Sequence, residues 1–103
     1  MSGEDKYRLF LGGDENAFEG IMREYFDGLI FFINRYVNDP HTAEDIAIDV
    51  FAYIAENRRK YNFKVSLKTY IYMIGKSRAL NLIKHRKRHA AEKLHENISA
   101  EEE

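Results

Sequence analysis

The sequence contains no cysteine and no tryptophan, and it has one proline in 103 residues. Without thiols there can be no disulfide, no thiolate zinc site and no cysteine nucleophile, a profile that suits a reducing compartment such as the cytoplasm. No apolar run approaches the roughly 18 residues that would read as a membrane span. The start MSGEDKYRLF lacks the basic-then-apolar order of a secretory signal, so neither membrane insertion nor secretion is expected. Alternating polar and apolar runs bounded by turn pairs are also missing, which removes strands of useful length. What the chain does have is 45% hydrophobic and 14% aromatic residues, enough for one folded domain with its own core.

Helical periodicity carries that core. In residues 14–37, Phe18, Ile21, Tyr25, Leu29, Phe32 and Tyr36 recur every three or four positions, with Asp14 placed to cap the start. Gly28 lies inside this pattern and marks either a short break or a close helix crossing. A second helix is predicted over about 40–57, with Pro40 in its first turn, Thr42 and Asp45 as a capping box, and Ala43, Ile46, Ala47, Val50, Phe51 and Ile54 on its apolar face. The segment RRKYNFKVS breaks the period, and Ser66 then caps a third long helix from 67 to roughly 90. The fold class is therefore all-α, a compact bundle of three long helices. Residues 1–13 form an N-terminal arm or short helix, 14–90 the helical domain, and 91–103 an acidic tail expected to fray or act as a linker.

The formal charge of −1 conceals a strong asymmetry. Up to Asn57 there are 4 Lys/Arg against 12 Asp/Glu; from Arg58 to Lys93 there are 12 against 1; the last ten residues carry 4 acids and no Lys or Arg. Such a division suggests a different partner for each half. On the third helix, Tyr70, Ser77, Asn81, Lys84 and Arg88 fall within about 60° of one another. Arg86 adds to the cationic end, and the preceding loop contributes Arg58, Arg59, Lys60, Tyr61, Phe63 and Lys64. Cations neutralise phosphates, aromatic faces stack on unpaired bases and small polar groups read base edges, so this set makes a track for a nucleic acid strand. Taken alone, KHRKRH equally suits a solvated face or the C-terminal end of a helix dipole. His85 and His89 have helical ligand spacing, but they stand among cations with no carboxylate or cysteine beside them, which disfavours a metal.

Opposite its apolar face, the second helix displays Glu44, Asp45, Ile48, Asp49 and Tyr53. Ile48 among acids is either an ordinary surface residue or the anchor of a face that docks a basic helical partner. No Ser/His/Asp set, Gly-rich phosphate loop or metal-ligand cluster can be assembled, so an enzyme is not expected, and no cofactor is implied.

The segments TAEDIAIDVFAYI and FKVSLKTYIYMIGKSRALNLIKHRKR, in that order and separated by the cationic loop, resemble region two of bacterial extracytoplasmic-function (ECF) RNA polymerase sigma factors. The phrases SLKTYIY and RALNLIKHRK look most like the Bacteroidetes type. The resemblance covers about residues 14–90. It implies a sigma factor domain for transcription initiation that docks on core RNA polymerase and recognises and melts the promoter −10 element. The polymerase contact, on the clamp helices of the largest catalytic subunit, would fall to Glu44, Asp45, Ile48, Asp49 and Tyr53. The non-template single strand, with a flipped base, would be held by the loop and third helix through Lys60, Tyr61, Phe63, Lys64, Tyr70, Ser77 and Asn81. Ser77 stands where many members have Asn and Tyr70 where many have Trp, which implies a different −10 preference. The resemblance also implies an anti-sigma factor as a partner, and a helical module that binds such a regulator without promoter activity is the alternative. The family's C-terminal helix-turn-helix domain is not found in these 103 residues, which suggests an isolated domain or a fragment.

Overall fold

In a computed structural model, the backbone of residues 1–102 and the side chains of residues 1–94 are described. The order is α1 (Gly3–Leu11), α2 (Glu15–Val37), α3 (Pro40–Glu56), a 3-10 turn (Arg58–Lys60) and α4 (Leu67–Glu102), with no strand among the described residues. The all-α expectation holds, with a fourth helix at the N-terminus.

Local chemistry sets most of the helix starts. Ser2 and Asp5 form a reciprocal capping box at α1, each backbone N–H donating to the other's side chain at 3.1 Å. Asp14 accepts from the Ala17 N–H at the head of α2. That helix ends at Asn38, which adopts a left-handed φ of 52° and donates its N–H to the Asn34 carbonyl. The start of α3 differs from the expected Thr42–Asp45 box. Asp39 is the cap, accepting from the His41 and Thr42 N–H groups at 3.1 and 3.5 Å and from the Thr42 hydroxyl at 2.8 Å. Pro40 occupies the first turn, where its missing N–H costs nothing, so the helix begins before Thr42 can cap it.

The Thr42 hydroxyl, with the Thr42 and His41 amides, holds the Asp39 carboxyl below its ordinary value of 3.8. A depressed folded value contributes stability above the unfolded pKa and loses it as pH falls through the folded one. Asp39→Ala is therefore expected to lower the thermal midpoint at neutral pH and to flatten the acid side of a midpoint-versus-pH profile, with little difference from the parent well below pH 3.8.

α2 packs against α1, α3 and α4. All six apolar positions predicted for α3 are buried, and Phe18, Ile21, Leu29, Ile33 and Val37 meet them from α2. Tyr25, Phe32 and Tyr36 are half-buried against this core. At Gly28 the helix is unbroken, and the residue marks a close crossing. The Tyr72 hydroxyl of α4 lies 2.6 Å from where a Cβ would stand. Gly75 of α4 repeats the device against Leu29 and Ile33.

α4 buries Leu67, Ile71 and Ala79, one turn or two apart, and from Lys84 onward every described side chain is exposed. Its backbone remains helical to Glu102, past the end expected near residue 90. Ala, Glu, Lys and Leu are strong helix formers, so this stretch has the propensity to stay helical, and its described side chains, to Leu94, are exposed. The side chains from residue 95 on, which include most of the predicted acidic tail, lie outside the described residues.

Candidate functional site

The loop between α3 and α4 is built on aromatic rings. Tyr61 is only 3% exposed, meets Tyr7 edge-on at 5.0 Å, and donates its hydroxyl to the Val65 carbonyl at 2.5 Å. Its ring therefore supports the loop from beneath and is not free to stack on a base, which corrects its expected place among the strand-facing residues. Phe63 and Tyr70 sit on that support, 4.6 and 4.8 Å from Tyr61, and both are half-buried. Phe63 adopts a φ of 63°, a left-handed conformation that is unfavourable for a bulky side chain. The Asn62 side chain accepts from the Lys64 N–H at 3.0 Å, tightening the turn around it.

The cations differ in how far the fold engages them. Arg58 lies over Phe10 at 4.3 Å and pairs with Glu15 at 3.7 Å, so it is already engaged within the fold. Lys60 is exposed but leans over Tyr53 at 5.6 Å. Arg59, Lys64, Lys84, Arg86 and Arg88 are exposed, as are Ser77 and Asn81 on the same helix. Burial holds the Tyr7 hydroxyl up at about 12 and also raises those of Tyr61 and Tyr70, so all three stay protonated donors at neutral pH.

Glu44, Asp45, Ile48 and Asp49 are exposed on α3, with Ile48 at 50%. Ile48 edges an apolar groove of about 270 Å³ floored by Phe18, Met22, Phe26 and Phe51. Asp45 and Asp49 border a second groove, open and about 540 Å³, which they share with Arg78, Asn81 and Arg86 of α4. The acidic and basic faces that looked separate in sequence thus meet along one line, because α3 and α4 lie side by side. Arg86 crosses that line to donate to the Thr42 hydroxyl at 3.3 Å.

Arg78 escaped the sequence reading. It lies over the Tyr53 ring at 5.3 Å, and its Nε is buried without a hydrogen-bond partner. Its position three residues before Asn81, one turn away on a helix, was the available signal. Tyr53 consequently has a cation from the loop and a cation from α4 against its ring. Glu4, Tyr7 and Arg8 of α1, which touch the loop and the head of α4, were missed as well. Among the described residues no group of three or more His, Asp or Glu side chains is gathered as a metal site, and no helix is long and apolar enough to cross a membrane.

An all-α domain with a cationic, aromatic loop between an acid-faced helix and a basic one is the class defined by these features. Residues 21–89 match the family described as Sigma-70 region 2, and the chain belongs to that family. With that membership comes a sigma factor role in transcription initiation, which engages core RNA polymerase and promoter DNA. Among curated proteins and solved structures nothing matches the chain.

Proposed function

We propose that this chain is the polymerase-docking and −10-recognising domain of an ECF-type sigma factor, working in the cytoplasm. α3 docks on the clamp helices of the largest polymerase subunit, with Ile48 as apolar anchor and Glu44, Asp45, Asp49 and Tyr53 around it. The loop and α4 hold the melted non-template strand. Phe63 and Tyr70 offer ring surface to an extruded base, Lys60 and Lys64 neutralise the phosphates beside it, and Ser77 and Asn81 contact base edges. Arg59, Lys84, Arg86 and Arg88 extend the phosphate track. The observation that carries this reading is the half-exposed Phe63, held at φ 63° on an aromatic floor at the mouth of a cationic helix.

Single-strand binding tests it. With about five phosphates neutralised, log affinity against log salt is expected to fall with a slope near −3.5, at roughly −0.7 per contact. Phe63→Ala and Asn81→Ala should weaken the preferred strand and change discrimination between strands, whereas Arg88→Ala should weaken all strands alike. A slope near zero, or Phe63→Ala binding as the parent does, would remove the strand-capture reading.

The apolar groove beside Ile48 also fits the alternative, a face used by an anti-sigma regulator. Both partners would use the same anchor, and direct binding to core polymerase separates them.

A further inference from the structure

α1 lies outside the residues that match the family, yet it touches the loop at three points. Glu4, Tyr7 and Arg8 share one face of the helix, at spacings of three and four. The Tyr7 hydroxyl donates to the Arg58 carbonyl at 2.6 Å, at the loop's entry. The Arg8 guanidinium lies 4.6 Å from the centre of the Phe63 ring, at the loop's turn. The Glu4 carboxylate accepts the Leu67 N–H at 3.1 Å, at the loop's exit, where it satisfies one of the unpaired donors at the head of α4.

Within the loop, Tyr61 bonds the Val65 carbonyl and supports the Phe63 ring at 4.6 Å, but neither contact ties the loop's two ends to the rest of the fold. Ser66 caps only the Thr69 N–H, and the Asn62 turn secures Lys64 without reaching the Phe63 ring. A left-handed phenylalanine persists only where its surroundings over-determine it. Here the surroundings include Tyr7 edge-on at 5.9 Å and Arg8 above the ring, both from α1. Filling the core would explain the burial of Tyr7 and Phe10. It would not explain why the polar atoms along this face meet the backbone at both ends of one loop and the ring at its middle.

We infer, on the footing of the strand-binding role proposed above for residues 58–66, that α1 is a positioning element for base capture. Glu4, Tyr7 and Arg8 hold the loop from entry to exit, keep Phe63 in its left-handed pose and register the loop against the first turn of α4. None of the three needs to touch DNA. The cost of ordering the loop is thereby met in the free protein, and a strand meets a preformed surface.

The test uses the whole chain with Glu4→Ala, Glu4→Gln and Tyr7→Phe. Gln keeps an acceptor oxygen for the Leu67 amide, and Phe keeps the ring while losing the hydroxyl. Amide hydrogen exchange across 61–67 is measured in the free protein. Strand discrimination is measured as the affinity ratio between a single strand selected from a randomised pool and its scrambled counterpart. Faster exchange is expected in Glu4→Ala and Tyr7→Phe, with a ratio lower by roughly tenfold. The salt slope and the scrambled-strand affinity should be unchanged, and Glu4→Gln should be restored towards the parent. Unchanged exchange overturns the inference. So does faster exchange with a parental ratio, or an equal loss on both strands that tracks a lower thermal midpoint. If the parent itself prefers no strand, the strand-binding role falls and takes the inference with it. A parent that discriminates, beside variants that discriminate equally well, sinks the inference alone.

Discussion

Leu29→Ala is expected to lower the unfolding free energy by about 2–5 kcal/mol, a large share of the roughly 5–15 kcal/mol that holds a domain folded. Leu29 is fully buried where α2 crosses α4, and its δ-methyl stands 2.9 Å from where a Cβ on Gly75 would be. Ile33 fills the other side at 3.2 Å. Both side chains are fully buried and a leucine would have to displace them, so Gly75→Leu should also destabilise, by about 1–3 kcal/mol or more, despite the gain of about 1 kcal/mol in helix propensity on losing a glycine. The informative experiment is the pair Leu29→Ala with Gly75→Ala. The new methyl would enter the space that the leucine vacates, and the double variant should be less destabilised than the sum of the singles. Contacting residues couple by about 0.5–3 kcal/mol. Urea unfolding with unchanged m-values is the measurement, and strict additivity would mean that the two helices do not meet at this point.

Ile48→Arg is expected to weaken binding to core RNA polymerase by roughly 30-fold or more, the loss typical of a central anchor. Ile48 lies half-exposed at the rim of the Phe18–Phe51 groove, so the substitution should leave the fold intact. Its effect would come from placing a cation in a face otherwise bordered by Glu44, Asp45 and Asp49. Phe31→Arg is the matched control, since Phe31 on α2 is 74% exposed. Equal losses in both variants would show that apolar surface in general drives the association. Full binding by Ile48→Arg would place the polymerase contact elsewhere and leave the groove to a regulator. The shared edge adds a further expectation: because Asp49 borders the groove that contains Asn81, Asp49→Ala should affect strand binding as well as polymerase binding.

The elements that were legible in the sequence are those whose information is local. Asp14, Pro40 and Ser66 act within three residues of themselves, and the α3 core face follows from one unbroken period of burial. Thr42 and Asp45 fit the capping-box pattern in sequence, but the cap is Asp39, and only the backbone shows that the helix begins before Thr42. The site was legible by residue type and much less by exposure. Arg59, Lys64, Ser77 and Asn81 face solvent as expected, whereas Tyr61 is buried and Arg58 is committed to Phe10 and Glu15. The contacts of α1 join residues more than fifty positions apart, and no local pattern encodes them. The left-handed Phe63 could not have been read either, since its ring rests on Tyr7 of α1 as well as on Tyr61 of its own loop.

The exposed run of α4 from Lys84 onward has an evolutionary consequence. Apart from the reach of Arg86 to Thr42, its side chains make no hydrogen bond or ion pair among the described residues, so a substitution there alters charge with little effect on the folded state. The loop is the opposite case, because Tyr61 and Phe63 serve the fold and the surface together. Overall affinity for nucleic acid can therefore drift in small, independent steps along the helix, while a new sequence preference has to arise through changes that the core must also tolerate. Related chains should diverge freely in the first property and in coordinated sets of residues, including partners on α1, in the second.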